Sequence, residues 1–234
     1  MSHAKVLLAI LSVAVLAACS DSTTPDNKRD DLRGTVVDAS GRPVAGATIV
    51  LQHALNSPFF PGPNKVNAMI RFQLPEAGSA SVWISSYCDA DTVRQLINDD
   101  LPAGDFAVVW DGRDEQSRLL PDGVYWCHVA TAAGEERYDA LLLRLGYGDF
   151  TVDDVLEPLA VTNIHGRFRL DQGCLPFGHT FEGTDEAGNP TSTFEVIRSV
   201  RVWAFMANGS APAVSHWITV DPDLGAEVTL AFVR

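Results

Sequence analysis

Trp110-Asp111-Gly112-Arg113-Asp114 is the polar cluster with the strongest claim to chemistry in this sequence. Two carboxylates around an arginine, next to a glycine that lets the chain bend, could hold calcium or a glycan. The same residues can also simply build a turn. Trp110 would then pack inward, and the carboxylates would accept hydrogen bonds from local backbone N–H groups. The turn is the expected outcome, because the D-x-[DN]-x-[DN]-G spacing of a calcium loop is absent. Other acidic groups gather at Asp89, Asp91, Asp99 and Asp100, and at Asp149, Asp153, Asp154 and Glu157. They read as solvated loops, and no local motif marks a carboxylate pair for glycosidase work. His128, His165 and His179 are candidate bases, yet neither G-x-S-x-G nor His-Glu-x-x-His occurs. His165 precedes Gly166-Arg167-Phe168 and reads as a surface turn residue. No catalytic residue, metal ligand set or cofactor site is expected.

Aromatic side chains offer a different chemistry, the stacking of sugar rings. Phe59, Phe60, Trp83, Trp126, Trp203 and Trp217 are available for it. Strand alternation places most of them in a core. Phe59-Phe60, set between prolines, is the candidate contact surface.

The elements that must position these groups are short and extended. Val36-Val37 leads into the turn signal Asp38-Ala39-Ser40-Gly41, and Ala47 to Leu51 follows Pro43 as a second apolar stretch. Residues 54–65 are rich in Pro and Gly and read as a loop or boundary. Further strand-like runs are Ser79 to Tyr87, Phe106 to Trp110 and Val124 to Ala130. Beyond the acidic stretch 149–157, they recur at 159–170, 194–206, 214–220 and 226–233. Val93 to Leu101 fits one helical turn or a short strand. No segment holds a helical period for long, so the fold class is all-β, built as two sandwich modules with little helix.

The chain has 234 residues, 46% of them hydrophobic, and a net charge of −13. A core is affordable, and the sign of the charge argues against nucleic acid, which is held mainly by Lys and Arg. The start of the chain reads as a targeting segment. Lys5 supplies the positive charge and Val6 to Ala18 is an unbroken apolar run, short of the roughly 20 residues a membrane span needs. Leu16-Ala17-Ala18-Cys19 ends that run and resembles the lipobox of bacterial lipoproteins. The resemblance implies cleavage of residues 1–18 and a diacylglycerol on Cys19, so the chain's first partner is a membrane. Acyl chains hold by about 0.8 kcal/mol per buried CH₂, which makes two or three of them a firm anchor. In the sorting pattern of enteric bacteria an Asp after the cysteine retains a lipoprotein in the inner membrane. Ser20 therefore implies the outer membrane. Residues 19–31 are polar and should form a flexible tether.

Arg33 to Leu51 carries Gly34, Val36, Asp38, Gly41, Pro43, Val44, Gly46, Ala47 and Val50 in an order that resembles the carboxypeptidase regulatory-like domain. The resemblance implies a small transthyretin-like sandwich with no catalytic zinc. That family continues with a T-x-x-G-x-F segment, and the candidate here is Thr162 to Phe168, far downstream. The block between resembles the flagellar hook-capping (FlgD-like) immunoglobulin-like domain. It carries Ile70 to Leu74, Val93-Arg94-Gln95-Leu96, Ala103-Gly104, Trp110 to Asp114 and Gly123-Val124-Tyr125. Ser117 departs from that family, which has Gly in the turn. Together they imply a discontinuous sandwich, residues 32–53 plus 159–234, with an immunoglobulin-like domain at 66–147 inserted in one of its loops. Three domains in series is the alternative arrangement.

Cys88, Cys127 and Cys174 remain after Cys19, so an exported chain has one disulfide and one leftover thiol. Cys88 with Cys127, both within residues 66–147, is the expected pair, and pairings through Cys174 stay open. The leading functional reading is a non-enzymatic envelope module that binds a protein partner or has a structural role. A glycan- or calcium-binding surface lipoprotein and an accessory subunit of a secreted hydrolase are the alternatives.

Overall fold

The computed structural model describes residues 31–56, 68–88, 91–142, 157–184, 190–207 and 211–233. The leader, Cys19, nearly all of the tether, and Phe59 and Phe60 lie outside them. Fifteen strands run through the described residues. They begin with β1 (Leu32–Val37), β2 (Thr48–Leu55), β3 (Ala68–Leu74), β4 (Gly78–Ser85) and β5 (Thr92–Leu101). Next come β6 (Gly104–Trp110), β7 (Gly123–Thr131), β8 (Gly134–Leu142), β9 (Ala160–Val161) and β10 (Arg167–Leu170). The last are β11 (Thr180–Thr184), β12 (Pro190–Phe205), β13 (Ala213–Val214), β14 (Ile218–Thr219) and β15 (Ala226–Ala231). A single 3-10 turn, Gln172–Cys174, is the only helical element among the described residues. The protein is all-β, with its sheets packed as sandwiches.

The strands pair in two groups. In the flanking group β1 lies between β10 and β15, antiparallel to the first and parallel to the second. Facing it is the order β11-β12-β2-β9, with β13 and β14 also on β12. The central group holds β3 to β8, as β3-β6 and β5-β4-β7-β8. Each group has its own apolar core. Leu32, Val36, Ile49, Leu51, Val202 and Leu230 fill the flanking one; Val82, Ile84, Trp110, Tyr125 and Leu142 fill the central one.

Side-chain chemistry explains how β1 and β2 join strands more than a hundred residues later. Thr162 Oγ1 accepts from Ala47 N at 2.8 Å and donates to Val44 O at 2.8 Å. Val36 N donates to Gly166 O at 2.8 Å. Phe168 lies over Gly34, where any Cβ would collide with its ring, so only glycine fits there.

Two sequence boundaries need correction. Asp31 belongs to the fold rather than to the tether: it is buried, and its carboxylate pairs with Arg169. Of the two readings of Val93 to Leu101, the strand holds and the helical turn does not: it is most of the ten-residue β5. Register shifts against β4 leave Leu96 and Val93 as extra residues in bulges, so Val93, Leu96 and Ile97 all pack on the core. A bulge breaks strict alternation, and the pattern then imitates a helix.

The disulfide also differs from expectation. Cys88 pairs with Cys174, their Cα atoms 4.7 Å apart, and Cys127 is a buried free thiol. Register rules out the Cys88–Cys127 bond. Cys127 sits opposite Ile84 and points into the core. Cys88 lies beyond the end of β4, in a turn, where it meets Cys174.

Candidate functional site

The acidic cluster is fully engaged in building a turn. Trp110 is buried, and its Nε1 donates to Arg113 O at 2.9 Å. Gly112 has φ 75°. Asp111 Oδ1 accepts from Arg113 N, and Asp114 Oδ1 accepts from Gln116 N and Arg118 N at 2.9 and 2.8 Å. Arg118 Nε donates to Asp114 Oδ2 at 2.7 Å, while its Nη1 lies 2.6 Å from Glu157 Oε2. These carboxylates hold the chain's own N–H groups in place of a cation. Asp99 likewise accepts from the N–H of Asp100. Asp89, Asp149, Asp153 and Asp154 lie outside the described residues.

The histidines have different surroundings. His128 Nε2 is 2.9 Å from Ser85 Oγ and its Nδ1 is 2.8 Å from Glu135 Oε1. That order of groups is one used for nucleophilic catalysis, but Ser85 is fully buried and Trp83 stacks flat on the imidazole at 4.7 Å. The hydroxyl is thus closed to a substrate. His165 is exposed at a turn, as expected. His179 reaches from the flanking group to the central one. Its Nε2 lies 3.1 Å from Asp139 Oδ2, and its ring meets the edges of Tyr87 and Trp126.

Aromatic placement corrects the alternation reading. Trp110 enters a main core, whereas Trp83 and Trp126 lie on the opposite face of their strands from Ile84 and Cys127. Trp203 packs with Val50 and Phe205 in a separate small cluster. Trp217 is 44% exposed, with the Arg201 guanidinium 4.9 Å from its ring.

The concave feature is a cleft of about 440 Å³ where the two groups meet. Its apolar walls include Leu120 and Val124 from the central group and Leu170 and Leu175 from the flanking group. Cys88 and Cys174 line it as well, so the disulfide closes one side. Asp122, Glu157 and Asp171 supply carboxylates, and Arg169 supplies a guanidinium that is paired with Asp31. Tyr125 Oη donates to Pro121 O at 2.9 Å. His53 lies at the cleft with Nδ1 buried and without a hydrogen-bond partner. Burial pushes its imidazole down to about 4, which keeps the ring uncharged. Burial likewise pushes the Cys127 thiol up to about 12, so it is inert.

Sequence reading missed His53 and this cleft, because the walls come from segments that only the fold brings together. The available signal was a histidine inside the largely apolar strand Thr48–Leu55.

No known protein-family profile matches the chain, and no curated protein does. Two solved structures are similar to part of it. FlgD from P. aeruginosa is 22% identical, over 41% of this chain and 70% of that one, with a TM-score of 0.26. FlgD from Xanthomonas campestris, a protein connected with the hook capping essential for flagellar assembly, is 18% identical over 53% of this chain and 87% of that one, also with a TM-score of 0.26.

Proposed function

We propose that this is an exported protein, held on the bacterial outer membrane by a lipid on Cys19, that acts as a non-enzymatic structural or protein-interaction module. In this reading the central group is an immunoglobulin-like domain inserted in a loop of a transthyretin-like sandwich. The pairing of β1 and β2 with strands beyond residue 160 supports the insertion. Insertion in a loop is physically inexpensive when the guest's ends lie close together.

The observation that carries the reading is the Cys88–Cys174 disulfide. Such a bond persists in an oxidising compartment, which is where a cleaved lipoprotein leader would deliver the chain. It closes a loop of 86 residues across the two groups. By chain entropy it stabilises by roughly 4 to 5 kcal/mol. The turn-bound carboxylates and the buried Ser85 supply no machinery for hydrolysis, which favours a binding or structural role over an enzyme.

Metabolic labelling with palmitate tests the anchor. Wild-type protein should label and stay with membranes through a salt wash, and Cys19→Ala should do neither. Wild-type protein that labels poorly and washes off would remove the reading. Calorimetry with a glycan panel and with calcium separates the alternatives, since a specific micromolar response would displace the structural role.

A further inference from the structure

We propose that the cleft between the two strand groups binds a small neutral ligand with an apolar body and a hydroxyl group, which hydrogen-bonds the imidazole of His53. The cleft's volume, about 440 Å³, falls within the usual range for a small-molecule site. Leu120, Val124, Leu170 and Leu175 line it and are all buried. A ligand's apolar body would replace water against them.

His53 brings an unsatisfied polar group to this apolar space. It lies inside β2, where its backbone pairs with Val200, and its ring meets the Phe177 ring in a T-shaped contact at 6.1 Å. The residue is 4% exposed, and Nδ1 is buried with no hydrogen-bond partner among the described residues. Leaving a buried polar atom unpaired is costly, and native structures rarely keep one without a partner.

The state of the ring selects the ligand's polar end. Burial holds the imidazole uncharged, its pKa down at about 4, so at neutral pH one nitrogen carries a hydrogen and the other a lone pair. A hydroxyl both donates and accepts, and therefore matches whichever tautomer is present. A charged group finds no free counter-charge. Asp122, Arg169 and Asp171 are already engaged within the protein, and Glu157 pairs with Arg118. Stripping such a group of its water would go uncompensated.

The cleft is also shaped in advance. The Cys88–Cys174 bond joins the two groups that form the walls, and both cysteines line the space. Walls fixed before binding cost a ligand little ordering.

Calorimetry on the purified full chain tests the proposal with benzyl alcohol and ethylbenzene, which differ by a hydroxyl against a methyl. Saturable binding of benzyl alcohol is expected. His53→Phe should weaken it by about tenfold, the worth of one hydrogen bond, and leave ethylbenzene within about twofold of its wild-type affinity. Should His53→Phe fold poorly, ring-nitrogen NMR of the wild-type protein takes its place. The His53 signals should move further on saturation with benzyl alcohol than with ethylbenzene. No saturable binding of benzyl alcohol, equal losses of both probes in His53→Phe, or His53 signals that move alike with both would each overturn the proposal.

Discussion

The Asp38–Arg42 and Asp114–Arg118 turns are the same device in different surroundings. In the first, Asp38 N donates to Arg42 O and Gly41 N donates to Asp38 O; in the second, Asp114 N donates to Arg118 O and Ser117 N donates to Asp114 O. In both, one carboxylate oxygen takes the N–H groups two and four residues on, and the other takes the arginine Nε. Their surroundings diverge. The Asp38 side chain is 31% exposed and its arginine stands in solvent, whereas the Asp114 side chain is 6% exposed and Arg118 also pairs with Glu157 of the flanking group. The left-handed position holds Gly41 at φ 79° in one and Ser117 at φ 62° in the other. One plan thus serves as a surface turn in the flanking group and as a joint between groups in the central one. Asn163 to Arg167 repeats the backbone bonds with an amide in place of the carboxylate.

Substitutions should separate the two turns. Asp114→Ala is the largest change, since it leaves two N–H groups at a half-buried turn and Arg118 without their acceptor. A loss of about 3 kcal/mol in urea unfolding is expected, with Asp38→Ala costing less than half as much. Equal losses would dissolve the contrast. Exchanging the left-handed residues comes next. Ser117→Gly should stabilise by about 1 kcal/mol and Gly41→Ser destabilise by about as much, because only glycine adopts positive φ without steric cost. A smaller effect distinguishes the arginines: Arg118→Ala should lower the melting temperature by a few degrees, while Arg42→Ala should barely move it.

The smallest effect is in acid. Hydrogen bonds from the backbone N–H groups of Arg42 and Ser40 hold the Asp38 carboxyl at about 2. A lowered pKa means that the contribution is complete above the unfolded value near 4 and is lost as pH falls through 2. The stability gap between wild type and Asp38→Asn should therefore narrow across that window, followed by thermal melts at each pH. A gap that stays constant would show that the carboxylate charge contributes nothing to the turn.

Much of the fold was legible, for reasons visible at single residues. Gly34 meets Phe168 and Thr162 bonds Ala47 and Val44 in the structure, and the family resemblance had already set these residues in one segment order. Ser117 stood out as a departure from glycine, and it is the non-glycine residue at positive φ among the described residues. What stayed illegible depends on register and long-range approach. Bulges hid β5, and no local pattern shows that Cys127 points inward while Cys88 runs on to the other group. The candidate cleft was illegible for the same reason, since His53, Asp122 and Asp171 belong to three distant segments. The repeated D/N-x-x-G/S-R turn was present in the sequence three times and could have been found there.

Non-reducing peptide mapping of the membrane-extracted protein tests the central claim most directly. That claim is an exported chain whose two sandwiches are clasped together and anchored by lipid. The expected result is a Cys88 peptide linked to a Cys174 peptide, Cys127 recovered as a free thiol after denaturation, and an acylated peptide beginning at Cys19. A Cys88–Cys127 link, three free thiols, or an unmodified Cys19 behind an uncleaved leader would contradict it.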